Sequence, residues 1–131
     1  MRKALILIGG ALNALAALFH VSISWQIHHL TGVEPGAKAL LEMFGNFGML
    51  TIFFFAVASL LYPTDLLTTR PGRLIIILIA VTYLVRAVEE ALLAVQFSPF
   101  IFAGSLLMGI IYALALFPVA AAQRQPGMRQ A

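Results

Sequence analysis

Arg86, Glu89 and Glu90 are three ionisable side chains within little more than one helical turn of an apolar stretch spanning residues 74–96. Two adjacent carboxylates beside a guanidinium can exchange protons, accept a cation or anchor an anionic group. His20, Glu42, Asn46, Ser24, Ser105 and Tyr112 occupy the other apolar stretches and supply imidazole, carboxylate, amide and hydroxyl groups. A charge near the centre of a membrane helix costs about 2.5–3.5 kcal/mol on insertion scales, so such a set is expected to face a protein interior, a cavity or a partner.

Three chemistries fit these residue types. Glu90, Glu89 and His20 are the acid–base candidates, with Arg86 stabilising a carboxylate, phosphate or developing oxyanion. His20, Glu42, Glu89 and Glu90 are the candidate ligands should a metal such as zinc, iron or manganese be present, since helix bundles hold metals with inward Glu and His. Arg86, Asn46, Glu42, Ser24, Ser105 and Tyr112 are the candidate contacts to a small, amphipathic or cationic ligand. Glu-x-x-His pairs are missing, and His20 and His28, about 12 Å apart along one helix, cannot ligate a single haem iron axially. The sequence has no nucleophile motif, phosphate loop or dinucleotide fingerprint, and it specifies no cofactor.

The elements that must position these groups follow from composition. Of 131 residues 62% are hydrophobic and 10% charged, and mean hydropathy is +1.01, which predicts an integral membrane protein. Four apolar stretches, residues 4–25, 39–62, 74–96 and 100–122, each approach the length needed to cross about 30 Å of hydrocarbon. Backbone groups in lipid must be satisfied internally, so the expected fold is all-α: a single domain over residues 1–131, an antiparallel bundle of four transmembrane helices. The segment 123–131 is polar and is expected to fray. Continuation of the first apolar run to Ile23 favours a span over a cleaved leader peptide.

Arg2, Lys3, Arg70, Arg73, Arg124 and Arg129 fall on one side of this arrangement and Lys38 on the other, which places both termini in the cytoplasm, most naturally at a bacterial plasma membrane. The basic pI of about 9.8 therefore comes from membrane-flanking charge that favours anionic lipid headgroups, and nucleic acid is not an expected partner. With no cysteine, disulfides and thiolate metal sites are excluded. Gly9, Gly10, Gly45, Gly48, Gly104 and Gly109 are expected to let helices approach closely.

Counting about 1.5 Å per residue from the cytoplasmic ends puts His20, Asn46, Glu90 and Ser105 near a common depth of about 24 Å, with Arg86 deeper and Glu42 and Ser24 further out. Each span contributes polarity to the outer half, which predicts a polar pocket there. The leading expectation is a binding protein for a small or lipid-like ligand whose polar end meets Arg86 and the glutamates. The alternatives are a membrane-embedded enzyme acting on a lipophilic substrate, a proton-coupled transporter of cationic compounds, and a structural subunit, as a homo-oligomer or in a larger membrane complex, in which the polar cluster fixes helix register.

Overall fold

The computed structural model describes residues 1–117. All its elements are helices: α1 (Arg2–His28), α2 (Pro35–Leu61), α3 (Pro63–Thr68), α4 (Arg70–Leu93) and α5 (Pro99–Leu116). Among them α1, α2 and α5 are long and apolar enough to cross a membrane. α4 is 24 residues long, is not one of these three, and carries Arg70, Arg73, Arg86, Glu89 and Glu90. The expected end of the fourth stretch, residues 118–122, and the segment 123–131 lie outside the described residues.

Local chemistry sets the helix starts. α2, α3, α4 and α5 each carry proline in the first two positions, where the missing N–H costs nothing and φ is already helical. Glu34 caps α2 by accepting from the Gly36 and Ala37 amides, Thr69 caps α4 through Gly72 N, and Ser98 caps α5 through Ile101 N. Lys38 Nζ donates to the His28 and Leu30 carbonyls, placing a cation at the C-terminal end of α1. Boundaries therefore shift from those expected from hydropathy. α4 begins at Arg70 and ends at Leu93, where hydropathy alone placed residues 74–96.

α3 has no counterpart in the sequence reading. It is a one-and-a-half-turn elbow between α2 and α4, and its buried Leu66 joins a core with Ile6, Phe55, Ile76, Ile79, Ala80, Met108, Tyr112 and Ala115. Gly72 lies against the backbone of Asp65 and Leu66 so closely that any Cβ would collide, which is why glycine starts α4 at this point. α1 packs chiefly on α2, α4 packs on α5, and α1 against α5 joins the two pairs.

The core is unevenly distributed. Burial on α1 ends at Ala17, and on α2 it is confined to Phe55, Ala56, Ala58 and Ser59. On α4 and α5 it continues to Glu90 and Ser105. Thus the halves of α1 and α2 nearest their connecting loop pair with each other and remain uncovered by the other helices.

Candidate functional site

Three polar constellations stand where the sequence predicted one. The deepest was not foreseen as a unit. Asn13 of α1 is fully buried, and its Nδ2 donates to the Tyr112 hydroxyl at 2.8 Å and to the Gly9 carbonyl at 3.0 Å. Its Oδ1 accepts from the Tyr83 hydroxyl of α4, and Tyr112 of α5 bonds Ser59 Oγ of α2 at 2.7 Å. One amide and three hydroxyls thereby tie all four long helices together. Gly9 makes room for it, since a Cβ there would lie 2.7 Å from the Tyr112 ring. Tyr112, a candidate ligand contact, is itself fully buried with its hydroxyl engaged in this network. Ser59 and Tyr83 escaped the sequence reading. The signal was present in Asn13, the one amide inside an otherwise apolar and small-residue run, which demands partners wherever it is buried.

The second constellation contains the residues on which the sequence reading centred. Glu90 is only 4% exposed, and its Oε2 accepts from Arg86 Nη2 at 2.9 Å. Its Oε1 accepts from the Ser98 backbone N–H at 2.8 Å. The chain leaves α4 in an extended conformation at Ala94 and returns to this carboxylate just as α5 begins. Glu90 therefore closes the α4–α5 turn with both oxygens occupied, and the Arg86 side chain is partly exposed. Glu89 points elsewhere, exposed in a shallow apolar depression of about 300 Å³ with Leu84, Val85, Val88, Leu92 and Leu93. Ser105 is buried in α5.

The third lies on the α1–α2 pair. His28 Nδ1 donates to Glu42 Oε1 at 3.2 Å, with the histidine largely exposed. Ser24 Oγ is buried without a partner among the described residues, and Gly45 of α2 faces it. His20 Nδ1 donates to the Ala16 carbonyl at 2.9 Å, which leaves Nε2 as the ring's second polar atom. Asn46 is exposed on α2. Glu34, outside the spans, has its carboxyl held below the ordinary value of 4.5 by the Gly36 and then the Ala37 amides that donate to it.

His20, Glu42, Glu89 and Glu90 are not gathered: among the described residues no three His, Asp or Glu side chains converge as metal ligands. Nor does a single outer polar pocket join α1 and α2 to Arg86 and Glu90, because Glu90 folds onto its own turn and Glu42 pairs with His28. The α1–α2 pair instead carries an apolar opening. It is a groove of about 580 Å³ between α1 and α2, lined by Ala14, Leu18 and Val21 on one helix and Met49, Phe53 and Val57 on the other, among other residues. Comparisons with protein-family models, curated proteins and solved structures find no match.

Proposed function

We propose that the chain is a four-span antiparallel membrane bundle that binds one amphipathic, lipid-like molecule in the α1–α2 groove. The observation that carries this reading is the continuity of the α2 stripe Phe53, Met49, Asn46, Glu42. Its first two members line the apolar groove, and the next two extend the same face into polar side chains towards the α1–α2 loop. Such a surface suits a tail beside Leu18, Val21, Met49 and Phe53 and a hydrogen-bonding head near Asn46, Ser24 and the His28–Glu42 pair. Residues 49–61 of α2 cover about 18 Å at 1.5 Å per residue, enough for most of one leaflet's acyl chain.

α4 is the fourth span in this reading: its 24 residues extend about 36 Å. Its most buried charge, Glu90, meets Arg86 within the helix and so avoids facing lipid unpaired. Lysine and arginine asymmetry supports cytoplasmic termini at a bacterial plasma membrane. The satisfied state of Glu90 favours a structural role for it, and no observation favours an enzyme built on His20, Glu89 and Glu90.

Native mass spectrometry of protein released gently from its own membranes tests the assignment. Wild type is expected to carry one amphiphile in this groove; this one molecule is retained in Glu90→Gln, weakened about tenfold in Asn46→Leu and lost in Ala14→Phe, which fills the groove. An Ala14→Phe protein that carries as many bound amphiphiles as wild type, or a wild type that emerges empty, would overturn it in favour of a purely structural protein.

A further inference from the structure

The opposite end of the molecule carries a different surface. Lys3, Arg70 and Arg73 are exposed around α3, with Arg2 partly covered, and Asp65 is the only carboxylate beside them among the described residues. Ile6, Leu66 and Ile76 share one core layer, and Lys3 and Arg73 each precede their isoleucine by three residues, so the cations form a rim about one turn from that layer. Arg2 Nε donates to the Ala115 carbonyl at 2.7 Å and Arg73 Nε to the Leu67 carbonyl at 3.4 Å, so each uses one N–H to satisfy a helix end. Among the described residues the terminal nitrogens of Arg73 and all of the Arg70 guanidinium make no hydrogen bond.

What stands on the same helix face decides the partner. Leu74 and Leu78 follow Arg70 at successive four-residue steps, and Ile77 and Val81 follow Arg73 likewise; all four are exposed. α4 thus presents two parallel rows, each headed by a guanidinium and continued by exposed apolar side chains. Free phosphate would use only the heads of these rows, whereas a phospholipid uses both parts. Arginine forks grip phosphate oxygens in pairs, and the positive end of the α4 dipole adds to the attraction.

We propose that Arg70 and Arg73 hold the phosphate of an anionic phospholipid whose acyl chains lie along Leu74, Leu78, Ile77 and Val81. This site is separate from the α1–α2 groove, though it rests on α4 being a span. The test is native mass spectrometry from nanodiscs containing equal phosphatidylglycerol and phosphatidylcholine. Wild type should retain phosphatidylglycerol at least tenfold over phosphatidylcholine, even with millimolar inorganic phosphate present. Replacing both arginines by glutamine should abolish the preference, and replacing both by lysine, which preserves insertion charge, should weaken it several-fold. Ala14→Phe should leave it intact. Equal retention of the two lipids by wild type, displacement by inorganic phosphate, or undiminished preference in the lysine pair would each overturn the site. A Val81→Cys variant separates the two claims, since the native chain has no cysteine. If this cysteine is shielded from a water-soluble maleimide, α4 lies in lipid, and a missing preference then counts against the site alone. A readily labelled cysteine counts against the span.

Discussion

Asn13 shows how a single amide can govern a bundle. Both its N–H bonds and its carbonyl are engaged, so replacing it by leucine strands the Tyr83 hydroxyl and leaves the Tyr112 hydroxyl with Ser59 as its one partner. An unpaired buried polar group costs roughly 1–3 kcal/mol, whereas interhelical hydrogen bonds in membranes average about 0.6 kcal/mol. Because two hydroxyls lose a partner at once, Asn13→Leu is expected to destabilise the protein by about 1–3 kcal/mol in equilibrium unfolding from detergent. Pairing it with Tyr112→Phe in a double-mutant cycle should reveal a coupling of at least about 0.5 kcal/mol. Additive losses would mean that the two side chains act independently. Arg86 and Glu90 were legible as a pair from their four-residue spacing. The third partner, Ser98 N, was not, because it depends on where α4 stops, and hydropathy carried the helix through Gln96.

At the scale of elements, the apolar runs announced every long helix, and the misreadings concentrate at their ends. Arg70, Pro71, Gly72 and Arg73 look like a loop by hydropathy, yet Thr69 caps them into the first turn of α4. α3 was hidden for a related reason: proline at positions 63 and 71 favours turns as much as helix starts, and six residues are too few for a periodic pattern to register. Glu34 is the clearest case of an end held by one side chain. Its carboxyl is depressed by two amide donors, so the cap is fully present above the ordinary glutamate value and is lost as pH falls through the lower, folded-state value. Acidification below about pH 4 is therefore expected to loosen the start of α2 before the bundle itself. Amide protection at Gly36 and Ala37, corrected for intrinsic exchange, should fall to the level that Glu34→Gln shows at neutral pH. Protection equal in the two proteins at neutral pH would mean that the cap does not hold this helix start.

Across the whole molecule, packing is concentrated in one half. The half containing Ile6, Asn13, Phe55, Ser59, Ile76 and Tyr112 is close-packed and cross-bonded, whereas the loop-proximal half of the α1–α2 pair has no buried residue. Depth counting along the sequence brings His20, Ser24, Glu42 and Asn46 towards that second half. It could not reveal that these residues and the Arg86–Glu90 pair divide between two helix pairs, because rotation and spacing between helices are set by packing elsewhere. Ile6, Asn13 and Ala17 are buried, while His20 and Ser24, further along the same stripe of α1, are only half-buried. Local opening free energy tracks buried contact density, so hydrogen exchange in detergent should divide along the same line. Amides at residues 6–17, 55–59, 76–83 and 108–115 are expected to be the slowest, and those at residues 21–28 and 35–45 at least about tenfold faster, a difference of about 1.4 kcal/mol. Occupation of the groove should slow exchange at residues 14–21 and 46–53 and leave the Asn13–Tyr112 half unchanged, because a ligand protects only the segments whose opening would release it. Uniform protection along α1 and α2 would instead mean that their paired outer halves are as stable as the cross-bonded core, leaving no yielding surface for a lipid-like molecule to enter.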